Sequence, residues 1–215
     1  MNINYQTKKE LLHILNTKKM LGIQHINPIK VIQRKENNHK LPKDLKDLKD
    51  YVSNCSLCEL SKSKISSFFS KGNFESGIII INTHGRKDEV ELENFKDMIE
   101  NILKVNINDI YMTNILKCNV DKIKSNLNNE IRKCIPYLEQ QINLLQPKLI
   151  ITCGDAFLYL TNNNDNIIEI SGNLFMYNEI KVIPLLEFDF INKNPSYREQ
   201  MIKDLRKIKN ILDEK

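Results

Sequence analysis

Four of this chain's five cysteines fall in an order that a single bound metal centre explains, and that order limits how the chain can fold. Cys55 and Cys58 form a C-x-x-C pair, whose tight turn turns both sulfurs to one side. Cys118 and Cys134 follow, far enough apart to lie on different elements. The fold must therefore bring distant segments together. Four convergent thiolates suit either a cubane iron–sulfur cluster or a tetrahedral zinc ion. The plainer alternative is a set of scattered buried cysteines acting as small apolar residues.

Composition favours the metal. The 215 residues are 41% hydrophobic and 27% charged, as in an ordinary water-soluble globular chain. No apolar run approaches the length that crosses a bilayer, and the opening MNINYQTKKE lacks the apolar core of a secretory signal. The expected setting is cytoplasmic, where cysteines more often hold metals than form disulfides.

The net charge of +5 is unevenly spread. Residues 1–50 hold 11 Lys and Arg against 5 Asp and Glu, while residues 51–215 hold 21 against 22. Such a basic arm suits the phosphate backbone of a nucleic acid, and equally a solvated lysine-rich extension.

This divides the chain into a basic N-terminal extension, residues 1–50, and a domain over residues 51–215. In the extension, Thr7-Lys8-Lys9-Glu10 reads as a capping box opening a helix to about Met20. Gly22 to Lys40, interrupted by Pro28, reads as a connector with little regular structure. Asp44 to Val52 reads as a short helix leading to Cys55.

Beyond it, strand and helix signals alternate, which predicts an α/β sandwich on a parallel sheet. Ile78-Ile79-Ile80-Ile81 is a strand, and Phe95, Met98, Ile99 and Ile102 recur at helical spacing. Asp109 to Thr113 is the second strand, ending at Asn114. A helix is expected from Asn128 to Leu145, stopped by Pro147. Leu149 to Thr152 is the third strand, followed by Gly154-Asp155-Ala156 with Asp155 as N-cap. Leu174 to Leu186 reads as strand, turn and strand, and a closing helix starts near Pro195. In such sheets ligands bind outside the carboxyl ends of the strands, where Asn82, Asn114 and Glu187 fall.

Against this frame the segments CSLCEL, FFSKGN, IYMTNILKC, NEIRKCIPYLEQQI, LQPKLIITCGDAF and VIPLLEFDFINKNPSYREQMIKDL resemble the family-four uracil-DNA glycosylases. The resemblance runs from Tyr51 to Leu212. It implies a three-layer αβα sandwich around a small, mostly parallel four-stranded sheet. It also implies a 4Fe-4S cluster held by Cys55, Cys58, Cys118 and Cys134, with zinc as the alternative, and leaves Cys153 as a core thiol. The activity implied is removal of uracil or a related damaged base from single- or double-stranded DNA by hydrolysis of the N-glycosidic bond, by a monomer.

Excision needs a flipped base read at its edge, a held water, and stabilisation of the departing anion. Asn114 matches the family residue that reads the uracil edge, since an amide offers both donor and acceptor. The other motifs depart from the family. Asn82 stands where a carboxylate belongs, in Ile81-Asn82-Thr83-His84-Gly85, and an amide can hold a water but cannot take its proton. The family's loop whose Phe stacks on uracil is replaced by the charged stretch from Arg86 to Glu93, and Phe95 is spaced as a core residue. Glu187-Phe188-Asp189 stands where His-Pro-Ser would be. A carboxylate of ordinary pKa, about 4.3, is ionised at neutral pH and repels a developing anion, unless burial keeps it protonated. Glu187, kept protonated as a donor, or His84 is the candidate to assist departure of the base. The alternative is a catalytically inactive nucleic-acid-binding or interaction protein that keeps the fold and the cluster.

Overall fold

A computed structural model describes residues 31–32, 41–85, 89–120 and 126–213. The helix expected from Thr7 to Met20 lies outside them. In chain order the elements are β1 (Val31–Ile32), α1 (Leu45–Ser53), α2 (Glu59–Lys62), β2 (Ser66–Ser67), β3 (Ile78–Asn82), α3 (Glu89–Leu103), β4 (Tyr111–Asn114) and β5 (Cys118–Asn119). There follow α4 (Asn128–Leu145), β6 (Leu149–Cys153), α5 (Ala156–Thr161), α6 (Ile167–Ile170), β7 (Phe175–Tyr177), β8 (Ile180–Leu185), α7 (Phe188–Lys193) and α8 (Arg198–Asp213).

The main sheet runs β1-β7-β8-β6-β3-β4. Its centre is the expected parallel set β8, β6, β3 and β4. Two short strands extend the sheet to six. β7 is antiparallel to β8 and β1 is parallel to β7. β1 lies inside the segment expected to be an irregular connector. The β7–β8 turn is made by Asn178 and Glu179, at φ 46° and 69°, the left-handed pair of a tight hairpin.

Strand alternation builds the two faces. Ile79 and Ile81 pack on one side with Ile131, Leu138 and Ile142 of α4 and Phe157 of α5. Ile78 and Ile80 pack on the other with Phe95 and Ile99 of α3 and Met201, Leu205 and Ile208 of α8. All four isoleucines are fully buried, which is why this run is continuously apolar rather than alternating. Each contributes about 1.5–3 kcal/mol relative to exposure.

α1 starts at Asp44, whose carboxylate caps the main-chain N–H groups of Lys46 and Asp47. It buries Leu48 and Val52 against Phe69 and Tyr137 of the domain, so the helix crosses residue 50 without a break. α4 occupies its expected bounds but contains Pro136, which removes one ladder hydrogen bond in the turn after Cys134. Asp155 precedes α5 but sits in the helical region, at φ −64° and ψ −6°, and its side chain makes no cap bond.

Candidate metal centre and strand-end site

The four cysteines approach one another through local geometry. Cys55 and Cys58 lie in the loop between α1 and α2. Lys133 Nζ holds that loop by donating to the Leu57 carbonyl at 2.7 Å, and Lys64 Nζ by donating to the Ser53 carbonyl at 2.6 Å. β5 pairs antiparallel with β2, with Cys118 opposite Ser67, which carries Cys118 beside that loop. Cys134 lies buried on the inner face of α4. Tyr137, one turn on, donates its hydroxyl to Cys55 Sγ at 3.4 Å.

The thiols act on one another electrically. Burial pushes the Cys118 thiol up, and the Cys58 and Cys55 thiols raise it further against Lys64. Burial pushes Cys134 up to about 11, opposed by the Lys117 main-chain N–H and supported by Cys58 and Cys118. Cys118 and Cys134 thus hold their protons at neutral pH, and a metal would have to displace those protons. Among the described residues no three His, Cys, Asp or Glu side chains are set around a single ion. Cys153 is buried on the opposite face of the sheet, in the core formed with α3 and α8.

The second candidate region is the carboxyl edge of the sheet. Asn82 and Asn114 are register partners at the ends of β3 and β4. The loop after β3 is fastened to the one after β4, Ile115 N–H donating to the Asn82 carbonyl at 2.8 Å and Leu116 N–H to the Thr83 carbonyl at 2.9 Å. The buried Asn114 amide is satisfied when its oxygen accepts from Gly85 N–H at 3.0 Å and its nitrogen donates to the Thr113 carbonyl at 3.1 Å. A side chain at Gly85 would stand 2.9 Å from Asn119 Oδ1, so the Asn119 side chain would have to shift to admit one. His84 is partly buried and donates Nδ1 to the Gly85 carbonyl at 3.1 Å.

Glu187 follows β8 and precedes α7, partly buried over the backbone of Gly154. Gly154 has φ +58°, and a Cβ there would stand 3.1 Å from Glu187 Cβ. Phe188 packs edge-on against Phe95 with centroids 5.7 Å apart, so both rings serve the core. Phe95 is 3% exposed, in keeping with its helical spacing.

Among the described residues, three buried side-chain oxygens at this edge make no hydrogen bond: Asn82 Oδ1, Thr152 Oγ1 and Asp189 Oδ1. They belong to the ends of β3 and β6 and to the segment just beyond β8. A buried oxygen without a partner costs about 1–3 kcal/mol, and native proteins rarely leave one so unless a water or ligand completes it. Cavities among the described residues lie elsewhere. One of about 480 Å³ opens beside Cys55, Tyr51 and Tyr137, and one of about 90 Å³ lies by Gly72, Phe95 and Met112.

Lys117 has no counterpart among the expected site residues. It is 2% exposed, and its ammonium donates to Thr113 Oγ1, the Asn114 carbonyl and Gln141 Oε1 at 2.7, 2.6 and 2.5 Å. Burial lowers its pKa to about 7, against a raising effect of Cys134. The one signal in the sequence was its place, a lysine between the apolar pair Ile115-Leu116 and a cysteine.

A family model described as Uracil DNA glycosylase superfamily matches residues 74–209, from the segment before β3 into α8. The chain belongs to the uracil-DNA glycosylase superfamily. Its relatives include type-4 enzymes. It is similar to the type-4 uracil-DNA glycosylase of Saccharolobus solfataricus, 27% identical over 175 residues, covering 73% of this chain and 81% of that protein. It is 28% identical over 123 residues to the type-4 uracil-DNA glycosylase of Sulfurisphaera tokodaii, covering 53% of this chain and 56% of that protein. The alignment therefore spans little more than half of the Sulfurisphaera protein. A DNA polymerase of Bacillus phage SP01 is 26% identical over 107 residues, half of this chain but 12% of the polymerase. The superfamily fold accounts for the parallel sheet and its flanking helices. Among the described residues no helix is long and apolar enough to cross a membrane.

Proposed function

We propose that this superfamily member is a DNA base-excision protein of the type-4 kind that removes uracil or a related damaged base from DNA. The observation that carries this reading is the group of unpartnered oxygens at the carboxyl edge, Asn82 Oδ1 foremost, beside the fixed amide of Asn114. Asn82 Oδ1 accepts a hydrogen from the attacking water and orients it. The water oxygen bonds to the sugar C1′, the bond from C1′ to the base nitrogen breaks, and its electron pair leaves with the base. The water's second hydrogen passes to solvent or to the departing base. Asn114 sits where the base edge is read, and His84 is the neighbouring donor. Glu187 limits the rate, because a carboxylate there opposes the charge growing on the base.

Cys55, Cys58, Cys118 and Cys134 fit a 4Fe-4S cluster by the chemistry of the donor set: four thiols from three segments, with Cys118 and Cys134 raised by their cysteine neighbours. A cluster offers each thiolate its own iron, whereas a zinc ion needs all four sulfurs within about 2.3 Å of one point. When bound, the cluster supplies a structural staple joining the loop before β2, β5 and α4.

The test is incubation of the full chain with uracil-containing single- and double-stranded DNA. Free base and abasic sites are expected, and Asn114→Ala should abolish both. Absence of product where a type-4 enzyme is active would overturn the reading. Glu187, standing where the resemblance implies His, favours one other reading, a nucleic-acid-binding protein without turnover. That reading predicts salt-dependent DNA affinity, weakened by deleting residues 1–40, and no product.

A further inference from the structure

We infer that Asn119 is a positioning residue for the amide of Asn114, acting through the main chain of Gly85. The inference rests on the reading of Asn114 under the proposed function and deepens it.

Asn119 lies in β5, opposite Ser66 of β2. Its strand is fastened on either side: Ile65 N–H donates to the Asn119 carbonyl at 2.9 Å, and Phe68 N–H to the Lys117 carbonyl at 2.8 Å. The side chain is fastened too, Nδ2 donating to Ser66 Oγ at 3.0 Å. With its nitrogen held there, Asn119 brings Oδ1 to 2.9 Å from the point where a Cβ on Gly85 would stand. One end of the Asn114 amide lies 3.5 Å from the same point. Among the described residues, Gly85 is therefore flanked by two amides, one that accepts from its N–H and one that packs against its Cα.

An amide carries a donor at one end and an acceptor at the other, so what it reads on a base depends on which end is where. The two ends of Asn114 are set by two main-chain partners. The Thr113 carbonyl belongs to β4 itself, whereas Gly85 N–H comes from a loop. The bonds that Ile115 and Leu116 make to that loop end at Asn82 and Thr83. Among the described residues, the side chain that packs on Gly85 beyond them is Asn119. Without it Gly85 is free to withdraw, and the Asn114 amide can turn end for end, exchanging donor and acceptor. The Ser66–Asn119 pair thus sets the orientation of the reading group from a hairpin outside the sheet.

The test follows two quantities in the full chain: hydrogen exchange of the main-chain N–H at position 85, by NMR, and release of uracil from single-stranded DNA. Asn119→Ala should speed that exchange about fivefold or more and lower kcat/KM by a similar factor, the scale of one net hydrogen bond. Its melting temperature should fall by no more than about 3 °C, because the side chain is only partly buried. Ser66→Ala should move both quantities the same way, by less. Gly85 is not in the left-handed region, so Gly85→Ala tests space alone. Its methyl displaces the Asn119 oxygen, and activity should fall. In the double variant that methyl fills the room left by Asn119→Ala, and both quantities should return toward wild type, which a general loss of stability would not produce. Unchanged exchange in Asn119→Ala, or single effects that simply add in the double variant, would overturn the proposal. Wild-type protein that releases no uracil where a type-4 enzyme is active would overturn the proposed function instead, and the exchange rates would still decide whether Asn119 holds Gly85 on Asn114.

Discussion

Asn82 and Asn114 face each other across neighbouring parallel strands, and the loop leaving the first returns a main-chain N–H to the side chain of the second. The Asn114 amide is thereby held in one orientation, its oxygen on Gly85 and its nitrogen on the Thr113 carbonyl. Asn114→Asp keeps the shape but turns an acceptor toward that carbonyl. It should lower stability by about 1–3 kcal/mol, the cost of a buried group left unpaired, with a matching fall in the denaturant midpoint. An unchanged midpoint would mean that the loop does not depend on this amide.

Glu187 is the residue at which the resemblance to the family implies a histidine instead. Under the proposed function, Glu187→Gln removes a carboxylate that would stand beside the departing base, and Glu187→His supplies the residue that the resemblance implies. Release of uracil from single-stranded DNA should rise in both, by about tenfold or more in Glu187→His, equivalent to about 1.4 kcal/mol of barrier. Abasic-site formation measures it. A fall in both variants would make Glu187 a required group rather than an obstacle.

What the sequence disclosed follows from which interactions leave a pattern. The buried strands and the amphipathic α3, α4 and α8 were readable because burial repeats at their periods. Phe95 and Cys153 were legible as core for the same reason. β1 was missed because two residues in a polar stretch carry no period, and α7 because Glu187-Phe188-Asp189 was read as a motif rather than a helix start. Lys117 was missed because lysine is ordinarily a surface residue, and only the converging oxygens of Thr113, Asn114 and Gln141 make its burial tolerable. The close approaches at Gly85 and Gly154 are contacts between distant segments, to which no local pattern points.

Gly172 lies between α6 and β7 at φ +71°, and a Cβ there would stand 2.0 Å from a carboxylate oxygen of Asp204. Asp204 is fully buried, accepting from Ser171 Oγ, Gln200 Nε2 and Lys207 Nζ, each at 2.9 Å. It fastens α8 to the turn entering β7 and cannot move aside without losing those bonds. Gly172→Ala combines backbone strain with this clash and should cost more than about 2 kcal/mol. Thermal unfolding is the measurement. A melting temperature within a degree of wild type would show that the turn relaxes freely.

The cysteines divide into two sets that metal analysis can separate. Cys58 and Cys134 are buried on the α4 side of the sheet, with Cys118 packed against them, and Cys153 lies on the α3 and α8 side. Cys134→Ser and Cys58→Ser should lower iron bound per chain and the broad visible absorbance of protein purified without oxygen. Because the proposed cluster would join segments that are otherwise far apart in the chain, those variants should also unfold at lower temperature. Cys153→Ala should keep full iron content and lose stability only by the small cavity it leaves, about 1 kcal/mol. Iron loss in Cys153→Ala equal to that in Cys134→Ser would mean that the ligand set has been misassigned. Colourless wild-type protein with one equivalent of zinc would show that the thiolates close around a single ion.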